Sequence, residues 1–291
     1  MITGVHWLEP LIPSPVSLRL LDRASDVFEC ANHLKRSTTP GQLLEKVTQA
    51  RINNSHFSCL IEGIDSGLSS LAGYVPWKSY STPPTPAQAH MRAQAHFEKL
   101  EVFSPVGESS LGDVFAPSLI ESLHQYLFEP LSQDHLLLSS GGRLIPGQTR
   151  SHSQRQVAVG RHEAPCWTAV NAMLKRMHQA YGMQREPRHA LIACLAFHHR
   201  LAYVHPFDDG NGRVGRLLLH LQLQRLGLEP SLWSVSKVLY ERREGYYASL
   251  ANADQPRRGD LDGRGQLSQA GLVGFIEFML GVLMIAMSDQ E

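Results

Sequence analysis

Apolar residues along most of this chain recur at helical spacing rather than in strand alternation. Over residues 16–33, Leu18, Leu20, Leu21, Val27, Phe28 and Ala31 predict an amphipathic helix. The polar break Ser37-Thr38-Thr39-Pro40-Gly41 precedes a second helical stretch over 42–53. Further helices are predicted over 87–100, 117–131, 166–182, 187–205 and 234–250. The tracts 190–197 and 217–223 are apolar nearly all round, which suits helices buried in a core. The longest apolar tract, 272–287, is interrupted by Gly274, Glu277 and Gly281 and is shorter than a typical membrane span, so it predicts a core helix. Residues 1–16, broken by Pro10, Pro13 and Pro15, predict an extended segment lying over the surface.

Two stretches depart from the helical pattern. Residues 75–86 hold Pro76, Pro83, Pro84 and Pro86 among polar filler and predict a linker, dividing the chain into an N-terminal helical region, 1–86, and a larger body, 87–291. Pro146-Gly147-Gln148-Thr149-Arg150 gives turn signals ahead of the β-branched run at 156–161, which predicts a hairpin. The fold class is therefore mainly α with one short β-hairpin.

Charge and cysteine content narrow the function. Lys+Arg and Asp+Glu balance at 27 each, which argues against a dedicated nucleic-acid binder. Cys30, Cys59, Cys166 and Cys194 form no Cys-x-x-Cys pair and suit reduced thiols. Residues 1–7 lack a basic region followed by an apolar run, the pattern of a leader. A cytoplasmic protein with no membrane partner is expected.

The chemistry concentrates in His205-Pro206-Phe207-Asp208-Asp209-Gly210-Asn211-Gly212-Arg213-Val214-Gly215-Arg216, between two apolar helices. Pro206 favours ending the first helix at His205. Gly210 and Gly212 permit a tight turn into the second helix. The free N–H groups and dipole at that helix start favour an anion such as phosphate. Arg213 and Arg216, three apart, share a face there, and two forked guanidinium groups suit a polyphosphate. Asp209 can hold a divalent metal such as Mg²⁺, which keeps waters and phosphate oxygens as its other ligands. His205 titrates near neutral pH and can take a proton from an attacking hydroxyl. His198 and His199 could join His205 and Asp209 in a metal cluster, but no His-x-x-x-His pair occurs there, which disfavours zinc.

The stretch resembles the core motif of the Fic family, His-x-Phe-x-(Asp or Glu)-Gly-Asn-Gly-Arg-x-x-Arg, at every specified position. The resemblance implies a helical Fic-type fold and transfer of AMP from ATP, with Mg²⁺, to a Ser, Thr or Tyr hydroxyl of a target protein, with self-modification as a further possibility. His205 would be the base and Asp209 the metal ligand. Gly210, Asn211, Gly212, Arg213 and Arg216 would hold the nucleotide. Upstream, Ser58-Cys59-Leu60-Ile61-Glu62-Gly63 by itself is a helix end with a glycine cap. It is also similar to the family's inhibitory helix, (Ser or Thr)-x-x-x-Glu-(Gly or Asn). That likeness, over about 55–64, implies that Glu62, helped by Ser58, reaches Arg216 and removes a clamp for the γ-phosphate. The predicted hairpin, with Val157, Ala158, Val159 and Gly160, resembles the family's flap, whose edge pairs with the target backbone. Tyr246 and Tyr247 match a tyrosine pair that lines the adenine pocket in relatives, and relatives often form homodimers. Other readings stay open: removal of AMP or use of another nucleotide by the same motif, a metal-dependent phosphohydrolase, and a non-catalytic nucleotide-binding module.

Overall fold

A computed structural model describes residues 2–103, 111–139, 141–151, 158–159 and 162–288. Helices dominate it: α1 (Leu18–Ser37), α2 (Pro40–Ile61), α3 (Pro86–Phe103), α4 (Pro117–Phe128), α5 (Trp167–Tyr181), α6 (Pro187–Val204), α7 (Asn211–Arg225), α8 (Val235–Glu241), α9 (Arg243–Ala253) and α10 (Gln269–Ser288). The hairpin consists of β1 (Ala158–Val159) and β2 (His162–Glu163), paired antiparallel. The mainly α class with one short hairpin is what the structure shows.

Local chemistry sets the helix starts. Ser17 caps α1 through its hydroxyl, which accepts from Leu20 N–H at 3.3 Å. Glu186 caps α6 in the same way, accepting from His189 N–H at 2.9 Å, with Pro187 in the first turn. Pro40 also stands in a first turn, so the predicted break at 37–41 becomes the start of α2. That helix runs without interruption to Ile61, joining two stretches the pattern had separated. Conversely, 234–250 divides at Arg242 into α8 and α9.

At the centre lies α6, nearly every residue of which is buried. It packs against α7, α5, α10 and α1, while α2 packs against α8 and α3. The main apolar cluster draws on α1, α3 to α7 and α10 alike. By length and composition α10 could cross a membrane, yet 56% of its apolar window is buried inside the protein, as befits a core helix.

The N-terminal segment does not lie over the surface as its prolines suggested. Residues Val5–Leu8 form a 3₁₀ turn, and Leu8 and Leu11 enter the core. Its carbonyls find buried donors: Arg200 donates to Pro10 O at 2.8 Å and Tyr181 to Leu11 O at 2.7 Å. Proline prevented a regular element here but left apolar side chains and free carbonyls that the core could satisfy.

Candidate active site

His205 ends α6 in the left-handed region (φ 49°, ψ 62°), where the helix stops. Its Nδ1 lies 3.3 Å from Ala202 O, a carbonyl that can only accept, which places the proton on Nδ1 and leaves the Nε2 lone pair unprotonated. Burial pushes the His205 pKa down to about 4, reinforced by His162 and Arg150 and opposed by Ala202 O and Glu62. At neutral pH the ring is a free base.

Buried Arg150 fixes this helix end. Its guanidinium donates to His205 O at 2.7 Å, Val204 O at 3.0 Å and Pro165 O at 3.0 Å, and its own N–H donates to Pro206 O at 2.8 Å. Carbonyls at a helix C-terminus lack intrahelical donors, and one guanidinium supplies them. The sequence had shown Arg150 only as part of a turn signature.

Beyond Pro206 the loop is closed by Asn211, whose side chain both accepts from Phe207 N–H and donates to Phe207 O, each at 2.9 Å. Phe207 is fully buried and anchors the loop. Gly210 has φ 79°, and a methyl there would meet the Phe128 ring at 2.3 Å, so only glycine fits. Asp209 is exposed at the loop's rim, its carboxylate accepting from Gly210 N–H at 2.6 Å and Arg213 at 3.2 Å. One outward carboxylate beside a helix N-terminus suits a hydrated Mg²⁺ that shares phosphate oxygens. Arg213 lies over the Phe128 ring at 4.5 Å.

The polar end of α2 reaches this helix start. The Arg216 guanidinium, itself buried, donates to Glu62 Oε1 at 2.7 Å, Ser58 Oγ at 3.0 Å and Ser58 O at 2.7 Å. A Cβ on Gly212 would stand 2.1 Å from Glu62 Oε1, so the carboxylate lies directly against the backbone of the α7 first turn. Burial alone would raise the Glu62 pKa, but Arg216, with Arg213 and His205, holds it below the usual range. Tyr247 donates its hydroxyl to Ile61 O at 2.9 Å, pinning the last turn before Glu62. The Glu62–Arg216 contact that the resemblance implied is present as an ion pair.

The tyrosine pair divides. Tyr246 is 3% exposed, and its hydroxyl bonds His198 Nε2 at 2.8 Å, while His198 Nδ1 donates to Gly215 O at 3.2 Å. The ring belongs to the core and offers no open face for a purine; that part of the expected pocket is corrected. Tyr247 is 44% exposed beside Glu62. His198 and His199 also have other partners: His199 bonds Asp254 and Leu250 O, each at 3.2 Å, and Arg200 at 2.7 Å. Among the described residues no group of three or more His, Cys, Asp or Glu side chains is placed to hold a metal ion.

Of the expected flap, Val157 and Gly160 lie outside the described residues, whereas Ala158 and Val159 form β1. Its second strand is tied inward through His162, which faces Asp254 Oδ2 at 3.2 Å and Tyr203 O at 2.8 Å. Both partners only accept, so this setting favours the protonated ring, in which both nitrogens donate. Burial opposes that charge, but Asp254, by hydrogen bond and charge, raises the His162 pKa.

One contributor was missed altogether. His124, on α4, is fully buried and touches the motif loop. A histidine among Leu123, Leu127 and Phe128 on an apolar helix face was the available signal.

Residues 114–223 match the model of the Fic/DOC family. A protein adenylyltransferase Fic of Drosophila mojavensis is 29% identical over 145 residues, 50% of this chain and 27% of the relative. The protein adenylyltransferase fic-1 of Caenorhabditis elegans is 51% identical over 64 residues, 22% of this chain and 11% of the relative. The chain thus spans about a quarter or less of these relatives' length. A crystal structure of a Fic family protein from Desulfovibrio desulfuricans superposes with a TM-score of 0.65 at 22% identity, covering 96% of this chain and 75% of that one. A Fic domain containing signaling protein from Bacteroides thetaiotaomicron gives 0.62 at 15%, covering 91% and 95%. At such identities these likenesses establish the fold.

Proposed function

We propose that this chain, a member of the Fic/DOC family, transfers AMP from ATP to a hydroxyl side chain of a protein and is restrained by its own Glu62. The observation that carries the reading is the joint placement of an unprotonated His205 Nε2, an outward Asp209 and the α7 N-terminus, with Glu62 on Arg216 at 2.7 Å. The polyphosphate would lie over the first N–H groups of α7, with Arg213 and Arg216 as cationic clamps. Asp209 would hold Mg²⁺, which when bound neutralises phosphate charge.

The target hydroxyl oxygen attacks the α-phosphorus, its proton passes to His205 Nε2, the bond to the β-phosphate breaks and pyrophosphate leaves. The protein's part is positioning, charge stabilisation and one general base. The edge of β1–β2 would align the target backbone. While Glu62 occupies Arg216 and lies against Gly212, the γ-phosphate lacks its clamp and the chain is held in check.

The test is to incubate the Glu62→Gly variant and candidate targets with ATP labelled at either the α- or the γ-phosphate. Protein labelled from the α-position alone, with a mass increase of one adenylyl group, supports the proposal. Label from the γ-position would replace it with phosphoryl transfer.

A further inference from the structure

We infer that His124 is a positioning residue: from α4 it locks the Asp209 end of the motif loop and ties that loop to the turn at Gly147 that leads towards the flap. The inference rests on the nucleotidyl-transfer reading of the site. The buried face of α4 is otherwise apolar, with Ile120, Leu123, Leu127 and Phe128. A buried imidazole in such surroundings is costly unless both nitrogens are bonded.

Both are, and each reaches the backbone of a different segment. Gly147 N–H donates to Nδ1 at 2.8 Å, which leaves Nε2 protonated to donate to Asp209 O at 3.2 Å. The ring also stacks on Phe207, with centroids 3.9 Å apart and planes 13° apart. Four residues along α4, Phe128 fills the space beside Gly210 and carries Arg213 over its ring. One face of α4 therefore touches Phe207, Asp209, Gly210 and Arg213. His124 has its polar atoms committed to backbone, so it acts through Asp209 rather than on reacting atoms.

Backbone support of this kind orients a ligand as an outer-shell partner does, and losing such partners costs metal affinity. The test compares His124→Phe and His124→Gln with their parent, all in the Glu62→Gly background. The first readout is the Mg²⁺ concentration that half-saturates binding of a fluorescent ATP analogue. The second is amide hydrogen exchange over 144–150 and 207–212. Phenylalanine keeps the stack and removes both hydrogen bonds. It is expected to raise the Mg²⁺ requirement about tenfold and to speed exchange in both segments about fivefold. Glutamine, with one donor and one acceptor, should recover most of both losses, and it keeps the test decisive if the phenylalanine variant does not fold.

A merely structural role would lower the melting temperature and leave the Mg²⁺ requirement in place, which would overturn the inference. So would faster exchange in only one segment, or equal losses in both variants. A parent that binds ATP without any Mg²⁺ dependence would overturn the proposed function and the metal-positioning role together. The exchange measurement would then still decide whether His124 joins loop and turn.

Discussion

Removing the Tyr247 hydroxyl should loosen the end of α2 that carries Glu62 without touching Glu62 itself. The hydroxyl donates to Ile61 O at 2.9 Å, one residue before Glu62, and Tyr247 is 44% exposed. A neutral hydrogen bond contributes about 0.5–1.5 kcal/mol net, and water can replace part of a half-exposed one. Tyr247→Phe should therefore weaken the docked state by about 0.5–1 kcal/mol, a shift of roughly twofold to fivefold in the docked-to-released ratio. The assay is label transfer from α-labelled ATP in a double-mutant cycle with Glu62→Gly. Alone, Tyr247→Phe should raise transfer by about that factor. With Glu62 already gone the hydroxyl has no restraint left to support, so transfer should not change. An equal effect in both backgrounds would show that Tyr247 acts on nucleotide, and would refute its role in docking α2.

Other outcomes follow from the same structure. Burial depresses the pKa of His90, His124 and His198 to about 3 and that of His205 to about 4. The unfolded chain therefore binds more protons as pH falls through about 6.5, and each residue should remove up to about 1.4 kcal/mol of stability per pH unit until its folded pKa is reached. Urea unfolding between pH 7 and 5 checks this; a flat profile would contradict it. His162, with its pKa raised by Asp254, has the opposite sign: its contribution is complete below about 6.5 and lost as pH rises through the folded value. Gly210→Ala should cost about 2–4 kcal/mol, from a positive φ and a 2.3 Å approach to Phe128, measurable by thermal unfolding. Arg150→Ala should cost roughly 3 kcal/mol by removing the donors to Val204 O and His205 O. It should also slow transfer in the Glu62→Gly background through a misplaced His205.

The motif 205–216 was legible because local chemistry dictates its shape. Glycine, proline and a helix start leave few alternatives, and Asn211 and Phe207 close the loop within five residues. Most helices were legible for a similar reason, since apolar periodicity reports one buried face. What lay hidden depended on contacts distant in sequence. Arg150 holds a helix end 55 residues away, and His124 meets Asp209 across 85. Tyr246 matched a purine-lining pattern, yet His198 offered its hydroxyl a buried partner and drew it inward. The N-terminal segment was not legible because its prolines rule out a regular element without revealing that its carbonyls supply acceptors for buried Arg200 and Tyr181.

The most direct test of the account is α-labelled ATP with Mg²⁺ presented to three purified forms: the native chain, Glu62→Gly, and Glu62→Gly with His205→Ala. Each is assayed alone and with a cell lysate. Weak labelling by the native chain, a strong rise when Glu62 is removed, and loss of that rise when His205 is also replaced are expected. Equal labelling by the native and Glu62→Gly forms would contradict restraint by the Glu62–Arg216 pair. Labelling that survives loss of His205 would contradict its role as the base.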